Sequence, residues 1–349
     1  QLAKIVEALY EMDASVVGLM EIENDGYDSN SAIAQLVDAL NARYGADIVS
    51  YVDAGEAQGT DAISVGIIYR NDLVTPAGEL QVLDSNNSIV DDEGPLFDSN
   101  RNRPSFAQMF TVLETDSTFV VNVNHLKSKG SSCGADDDDN STGQGNCNRT
   151  RTRAAQALHV WLAETFADEP VMIVGDLNAY AKEDPISTLN GAGYTDLARE
   201  FNGPMAYSYT FNNEFGSLDY ALANSRALEL VQEVAEWHIN ADELAAFDYN
   251  EFVPPGSTPK PDNLIDTSAY RSSDHDPVIV GLQFERELVF GDVNGNGRLD
   301  LRDYFTIFLL RGATADSPRF IEAADLNFDG VIDRSDMRIW FRLYITRLR

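Results

Sequence analysis

An apolar run from Val171 to Val174 ends at Gly175 and is followed at once by Asp176 and Asn178. Two valines and one isoleucine in four residues predict a buried strand. In open α/β sheets, ligands bind beyond the carboxyl ends of the strands. Carboxylate and amide oxygens at that place suit a hard cation, a water or a phosphate oxygen. Taken alone, the pattern is more often an ordinary turn, but similar residues mark other strand ends of this chain.

Four more predicted strands have polar side chains of this kind at or near an end. Asp219 lies inside the apolar strand 216–222, where an unpaired carboxylate is costly to bury, so a fixed partner such as a histidine is expected. The sequence Asp-His-Asp before the strand 278–284 is hard to explain as packing. The candidate residues at these ends are Glu21, His125, Asp219, Asp274 and His275.

These residues suffice for metal-assisted hydrolysis of a phosphate ester. A divalent cation held by Glu21 would polarise a phosphoryl oxygen. His275, oriented by Asp219, would take a proton from the attacking water. His125 and Asn178 would stabilise the charge of the transition state.

The chain is strongly acidic, with a net charge of −32 and only five lysines. Residues 286–349 have equal numbers of acidic and basic side chains, so the whole excess lies in 1–285. Such a surface argues against non-specific binding of nucleic acid through a broad basic patch. Binding of a phosphate backbone therefore requires that Arg101, Arg103, Lys127, Lys129, Arg149, Arg151 and Arg271 gather around the cleft. Among them, Arg103, Lys127 and Lys129 are the candidates for phosphate binding, and solvated surface side chains are the alternative.

Two cysteines, Cys133 and Cys147, flank a short polar loop that contains four consecutive aspartates, 136–139. Because this loop is too polar to bury, a disulfide is favoured over two buried free thiols, and it implies an oxidising compartment. A run of aspartates is usually solvated, and a calcium site there is the second interpretation.

Short motifs occur in a particular order between residues 19 and 277. They are Leu19-Met20-Glu21, Tyr69-Arg70, Arg103-Pro104, Asn122-Val123-Asn124-His125, Gly175-Asp176-Leu177-Asn178, Leu218-Asp219-Tyr220 and Ser273-Asp274-His275-Asp276-Pro277. As an ordered series they resemble the endonuclease/exonuclease/phosphatase superfamily, which includes deoxyribonuclease I-like nucleases, over about residues 1–284. Residues 126–130, the loop between the cysteines and residues 237–242 resemble the secreted bacterial extracellular-nuclease branch.

The resemblance implies an α/β fold, a four-layer α/β sandwich of two packed β-sheets flanked by helices, and phosphodiester cleavage that depends on Mg²⁺ or Mn²⁺. It assigns Glu21 to the metal and Asp274 to a second metal-side carboxylate. It also implies that Asp176 and Asn178 act on the water and the phosphate, and that the pair of Asp219 and His275 supplies the base.

The start of the chain departs from this resemblance. Domains of the superfamily open with a strand whose asparagine helps to form the metal site, whereas this chain begins with an amphipathic helix. The chain also starts at Gln1 and has no signal-peptide pattern. We therefore expect a processed or truncated product in which the opening strand is missing.

Two segments of twelve residues, 292–303 and 325–336, have the oxygen-rich pattern of a calcium loop, with glycine at the sixth position. The seventh position contributes its backbone carbonyl. The predicted ligands are Asp292, Asn294, Asn296, Arg298, Asp300 and Asp303 in the first loop, and Asp325, Asn327, Asp329, Val331, Asp333 and Asp336 in the second. Each loop thus predicts one Ca²⁺ ion, and calcium should help this small segment to fold.

Aspartate takes the last position of both loops, where a helix-loop-helix calcium sensor usually has glutamate. The pair therefore resembles a type I dockerin, a module that docks onto a cohesin on another protein. A small all-α calcium-stabilised cap without a partner is the alternative.

We predict two domains, a catalytic domain at 1–284 and a dockerin-like domain at 285–349. The first hypothesis is a secreted, extracellular, metal-dependent nuclease that acts on DNA, with RNA as an alternative. The second is a metal-dependent phosphoesterase for a small or lipid phosphoester, and the third is a non-catalytic, calcium-dependent scaffold or adhesion protein. No apolar run approaches the ~20 residues needed to span a bilayer, so no membrane span is expected.

Overall fold

Two compact units make up the computed structural model, which describes residues 1–139, 141–248, 266–285 and 289–347. The first unit comprises Gln1–Thr111 and Thr118–Gln283, and the second comprises Val112–Ser117 and Phe284–Arg349. Among the described residues, no helix is both long and apolar enough to cross a membrane.

Strands dominate the first unit. They are β1 (Val16–Glu23), β2 (Val49–Tyr51), β3 (Ile63–Arg70), β4 (Val74–Leu83), β5 (Val90–Asp91), β6 (Gly94–Pro95), β7 (Ser105–Val112), β8 (Thr118–His125), β9 (Val171–Asp176), β10 (Thr195–Asp196), β11 (Tyr209–Phe211), β12 (Glu214–Gly216), β13 (Asp219–Ala223), β14 (Val231–Glu236) and β15 (Val278–Leu282). The smaller main sheet has the order β1-β3-β2, and the larger has the order β10-β13-β9-β8-β7-β4. Three further pairs are β5 with β6, β11 with β12 and β14 with β15.

The two main sheets pack face to face, with β1 lying on β8 and β9. Gly18 of β1 shows how close this approach is. A Cβ atom at this position would come within 2.9 Å of the Val123 side chain and 3.0 Å of the Val174 side chain. A larger residue at Gly18 would therefore push the sheets apart at the centre of the unit.

Helices cover the outer face of each sheet. Helices α1 (Leu2–Met12) and α2 (Ala32–Tyr44) pack their apolar faces on the smaller sheet. Helices α3 (Asn148–Thr165) and α4 (Asp184–Gly191) pack on the larger sheet. Two shorter helices, α5 (Leu197–Asn202) and α6 (Ser225–Leu228), complete the unit. The predicted four-layer α/β sandwich is thereby confirmed.

Strand β9, predicted from the apolar run Val171 to Val174, differs from its prediction at Gly175. This glycine does not end the strand, because β9 continues through Asp176. Gly175 has φ +119°, and a Cβ atom there would lie 2.1 Å from the carbonyl oxygen of Asn124 on the parallel neighbour β8. The glycine therefore allows the ends of β8 and β9 to lie close together.

Two other local predictions need correction. The sequence around Asp184-Pro185 predicts turns, but proline is well tolerated in the first turn of a helix, and α4 begins there. The sequence from Val231 to Ile239 predicts a strand that includes His238, but β14 ends at Glu236, so His238 lies beyond it.

The second unit is built from two helices and the loops before them. Helix α7 spans Leu301–Leu310 and α8 spans Arg334–Arg347. Trp340 of α8 is fully buried in the small apolar core, and its indole N–H donates to the carbonyl of Gly291 at 3.0 Å. Helix α7 begins within the last positions of the first calcium-loop segment, and α8 begins within those of the second.

Candidate active site

Three candidate catalytic residues lie side by side at the edge of the larger sheet. The Cα atom of Asp176 on β9 pairs in register with that of His125 on β8 and with that of Asp219 on β13. His125 Nε2 lies 3.6 Å from Asp176 Oδ2. Asp176 and His125 are buried, and Asp219 is only 6% exposed. Residues up to 94 positions apart in the chain therefore form one short row.

A histidine from the loop before β15 completes this row. His275 Nδ1 lies 2.7 Å from Asp219 Oδ2, which is the fixed partner that the buried carboxylate requires. The same carboxylate oxygen accepts a hydrogen bond from the Ser208 hydroxyl at 2.8 Å. Ser208 also accepts hydrogen bonds from the backbone N–H groups of Leu218 and Asp219. Ser208 thus holds Asp219 in place, and no sequence pattern singles it out.

Asn178 holds the carboxylate of Asp176. Its backbone N–H donates to Asp176 Oδ1 at 2.7 Å, and its side-chain amide donates to Asp176 Oδ2 at 2.9 Å and to the carbonyl of Leu126 at 3.1 Å. Asn178 has φ +49°, a left-handed conformation that asparagine tolerates better than most residues. The aspartate and the asparagine therefore act as one rigid pair.

The two histidines have opposite protonation states. Burial lowers the pKa of His125 to about 3, and the charge of Arg103 adds to this effect. Burial also lowers the pKa of His275, but the carboxylates of Asp219, Asp176 and Asp274 outweigh it and raise the pKa to about 10. Near neutral pH, His125 is therefore a neutral imidazole and His275 is a cation.

Glu21 and Asp274 are exposed acidic residues beside this row. Glu21 sits at a bulge of β1 with φ +61°, a strained conformation of the kind found at functional sites. Its side chain makes no hydrogen bond or ion pair to another described residue. Burial and the Asp219 carboxylate raise the pKa of Asp176, and Glu21 contributes to this rise.

This set of residues fits a hard divalent cation. A cation would offset the mutual repulsion of the carboxylates, and oxygen ligands are those that Mg²⁺ and Mn²⁺ prefer. Among the described residues, no three or more His, Cys, Asp and Glu side chains are already arranged as a metal cluster. Mg²⁺ does not need one, because it keeps several waters and uses one or two carboxylates.

Residues 1–275 match the family model of the Endonuclease/Exonuclease/phosphatase family. The chain belongs to this family. Its members are hydrolases that act on phosphoester bonds and typically depend on a divalent metal. Residues 290–340 match the dockerin type I domain. No curated protein matches the chain.

One solved structure supports the fold, and two others are similar at a lower level. A family member from Bacteroides vulgatus is similar with a TM-score of 0.50 and 13% identity, and the match covers 81% of this chain and 90% of that chain. The mannosyl-6-phosphatase Bt3783 of Bacteroides thetaiotaomicron VPI-5482 has a TM-score of 0.48 and 14% identity, over 81% and 90% of the two chains. The human Nocturnin catalytic domain with bound sulfate has a TM-score of 0.48 and 13% identity, over 70% and 80%.

In the present chain, carboxylates already neutralise most of the basic side chains that were expected around the cleft. The Arg103 guanidinium lies 3.0 Å from Asp61, for example, and the Arg101 guanidinium lies 3.0 Å from Asp137. The other pairs are Lys129 with Glu183, Arg149 with Glu93 and Arg271 with Asp248. These residues therefore do not form an uncompensated basic surface.

Arg151 and Lys127 differ from the other basic residues. Arg151 is fully buried, and its guanidinium donates to the backbone carbonyl of Lys127 at 2.9 Å. The backbone N–H of Lys127 donates to the side chain of Asn102 at 2.9 Å. Lys127 is thus fixed through its backbone, while its ammonium group has no ion pair among the described residues. Of the three residues predicted to bind phosphate, Lys127 is therefore the one whose charge is not neutralised by a described carboxylate.

The loop before α3 is closed by the predicted disulfide between Cys133 and Cys147, which is confirmed. Asp138 Oδ1 accepts hydrogen bonds from the backbone N–H groups of both cysteines, at 2.9 and 2.8 Å. Asp137 accepts hydrogen bonds from Thr150 at the start of α3. These two aspartates are therefore structural anchors of the loop and not part of a solvated run.

The loop that carries His275 is held by its neighbour Asp276, the second aspartate of the Asp-His-Asp motif. Asp276 is 1% exposed, and its Oδ1 atom accepts hydrogen bonds from the backbone N–H groups of Ile239, Asn240 and Ala241. The Asn240 side chain in turn donates to the carbonyl of His275 at 2.7 Å. Asp276 therefore positions His275 through the backbone.

The two loops of the dockerin module have the same hydrogen-bond pattern. In the first, Asp292 accepts from backbone N–H groups of its own loop, and buried Asp303 accepts from Val293, Asn294 and Asp300. In the second, Asp325 and buried Asp336 accept in the equivalent way. The first and last positions of each loop thus turn their carboxylates inward. This arrangement fits a calcium ion in each loop.

Proposed function

We propose that the chain is a secreted, metal-dependent phosphodiesterase that hydrolyses nucleic acid, with DNA as the first substrate to test and RNA as the alternative. Residues 1–284 form its catalytic domain and residues 285–349 its dockerin module. The observation that supports this most directly is the row of His125, Asp176 and Asp219, with His275 hydrogen-bonded to Asp219. An extracellular location agrees with the disulfide and with the dockerin module.

The protonation states of these residues suggest which catalytic role each of them has. His275, a cation oriented by Asp219, donates a hydrogen bond to a phosphoryl oxygen. Asp176, whose pKa is raised, takes the proton of the attacking water. Asn178 holds the carboxylate of Asp176 in position. Neutral His125 would stabilise the charge that develops on the phosphate. This division of roles differs from the sequence-based hypothesis, in which His275 is the base.

Glu21 and Asp274 would hold the Mg²⁺ or Mn²⁺ ion. When bound, such an ion polarises a phosphoryl oxygen and neutralises developing charge. Two features of Glu21 support this assignment. Its backbone is strained, and its side chain is exposed beside the catalytic carboxylates without a partner among the described residues.

Nicking of supercoiled plasmid by the full chain tests the proposal. We expect nicking with Mg²⁺ or Mn²⁺ and none with EDTA, and a loss of at least about 10²-fold in rate for His275→Ala. His159→Ala is a matched control, because His159 is a half-buried histidine on α3, away from the row. Activity that is unaffected by His275→Ala would contradict the proposal.

A small phosphoester is the second candidate substrate, and the ion-paired arginines favour it. A long duplex is bound mainly through phosphate contacts from Lys and Arg, and these side chains are largely neutralised here. Metal-dependent hydrolysis of 4-nitrophenyl phosphate without cleavage of plasmid or single-stranded DNA would select this candidate. Loss of activity on every phosphoester would instead favour the non-catalytic scaffold.

We also propose that the dockerin module binds a cohesin-type protein through α7. Phe305, Phe308 and Leu309 are 60%, 47% and 70% exposed, and their spacing places them on one side of the helix. A double Phe305→Ala/Leu309→Ala variant should weaken calcium-dependent capture by a type I cohesin at least about tenfold. The matched control is Phe341→Ala on α8, which removes a phenylalanine of similar exposure.

A further inference from the structure

A short hairpin of aromatic residues borders the candidate active site. Strands β11 and β12 pair antiparallel, with Tyr209 opposite Gly216 and Thr210 opposite Phe215. The two asparagines of the turn, Asn212 and Asn213, have φ +51° and +65°, as the tight turn of a two-residue hairpin requires. Alternate residues of a strand point to opposite faces. Tyr209 and Phe211 therefore share one face, and Phe215 lies on the other.

The face of the hairpin that carries Tyr209 starts beside His275 and extends away from the candidate active site. Its ring centroid lies 4.4 Å from that of His275. The Phe211 ring follows at 6.5 Å from Tyr209, nearly parallel to it at 14°, and is 56% exposed. Two flat rings thus extend outward from the imidazole that the proposed mechanism places on the phosphate.

A third ring lies against the same hairpin. Tyr180 packs on Gly216, the cross-strand partner of Tyr209, and a Cβ atom at Gly216 would lie 2.7 Å from the Tyr180 ring. The Lys129 ammonium lies 4.6 Å from the centroid of the Tyr180 ring. Glycine at 216 therefore makes room for Tyr180 beside Tyr209.

We propose that this face, formed by Tyr209, Phe211 and Tyr180, binds an unpaired nucleobase next to the scissile phosphate, so that the preferred substrate is single-stranded nucleic acid. The inference rests on the proposed function. Aromatic side chains bind bases of any sequence by stacking, and only an unpaired base can turn its flat face to them.

The charge distribution supports this occupant. Because most of the described basic side chains near the site are ion-paired, phosphate contacts contribute less than in a protein with a basic cleft. Stacking needs no charge and contributes to binding at each base that it holds. An exposed phenylalanine offers neither charge nor a hydrogen bond to a phosphate, whereas its flat apolar ring can stack on a base.

Binding of two fluorescent oligomers of equal length tests the inference without requiring turnover. One is an oligothymidylate and the other is its abasic analogue, which has the same phosphates and no bases. By fluorescence anisotropy, the full chain should bind the first at least about fivefold more tightly. Phe211→Ala should abolish this preference by raising the Kd of the oligothymidylate alone, and Phe211→Trp should retain it.

Phe215→Ala is the matched control, since Phe215 is 59% exposed on the opposite face of the same hairpin. It should leave both dissociation constants unchanged. Equal effects of Phe211→Ala and Phe215→Ala, or equal binding of the two oligomers by the unmodified chain, would overturn the inference. Loss of metal-dependent cleavage with the base preference intact would count against the proposed function only.

Discussion

The Nδ1 atom of His275 lies 2.7 Å from the Oδ2 atom of Asp219, and this pair determines the charge at the candidate active site. Asp219 is the main reason why the pKa of His275 rises to about 10 although burial lowers it. The pair therefore presents a cation next to Asp176. A phosphate ester, which is an anion, is the kind of substrate that this arrangement attracts.

Removal of this carboxylate should change the pH dependence of catalysis. A histidine with a raised pKa is charged below that pKa, so activity that needs the cation is lost as the pH rises through about 10. Asp219→Asn should move this alkaline limb of kcat/KM to lower pH by at least about one unit. Asp242→Asn is the control, because Asp242 is exposed and hydrogen-bonds to Tyr207. An unchanged limb in Asp219→Asn would disprove the assignment.

Ser208 should matter for stability as well as for the position of Asp219. Ser208 is fully buried, and Ser208→Ala would leave the backbone N–H groups of Leu218 and Asp219 without their acceptor. We expect a loss of about 1–3 kcal/mol in the free energy of unfolding, measured by urea denaturation. Ser225→Ala, at an exposed serine of α6, should change it by less than about 0.5 kcal/mol. Equal effects of the two substitutions would rule out this role.

The positions of strand ends were largely predictable, because they depend on local patterns. Buried strands show as apolar runs, and Asp176 and His125 follow such runs directly. Their proximity also follows from general rules, since neighbouring parallel strands end at the same edge of a sheet. The dockerin module was predictable for the same reason, because each calcium-loop pattern lies within twelve residues.

Contacts between distant residues could not be predicted in this way. With 57 acidic residues in the chain, no spacing indicates that Asp61 is the partner of Arg103 or that Glu183 is the partner of Lys129. The hairpin that carries Tyr209 was missed because each of its strands has only three residues. Such a short segment shows no clear alternation of apolar and polar residues.

Gly175 should be among the least replaceable residues of the first unit. Alanine there would combine a strained φ of +119° with a Cβ atom 2.1 Å from the Asn124 carbonyl. Since backbone atoms cannot yield as a side chain can, Gly175→Ala should cost more than about 3 kcal/mol. Gly191→Ala is the matched control, because no atom lies within 4 Å of a Cβ atom built there. Thermal unfolding of both variants checks this, and similar melting temperatures would contradict it.

The disulfide should stabilise the first unit mainly by restricting the unfolded chain. Cys133 and Cys147 are 14 residues apart, and closing a loop of this size contributes about 3 kcal/mol. The double variant Cys133→Ser/Cys147→Ser should therefore melt at a lower temperature than the oxidised protein. Dithiothreitol should lower the melting temperature of the unmodified chain to nearly the same value and have no effect on the double variant. A melting temperature that does not respond to either change would refute this prediction.

Calcium should control the folding of the dockerin module independently of the catalytic metal. The carboxylates of Asp292 and Asp303 converge within the first loop, and those of Asp325 and Asp336 within the second, so each loop gathers negative charge that a cation would neutralise. Calorimetric titration of the full chain should show two calcium ions bound at this module, and Asp292→Ala or Asp325→Ala should each remove one. Saturating calcium at about 100 times its Kd should stabilise the module by about 2.7 kcal/mol for each bound ion. Asp316→Ala, an exposed aspartate outside both loops, should leave the stoichiometry at two. Two ions still bound in either loop variant would show that these aspartates are not the ligands.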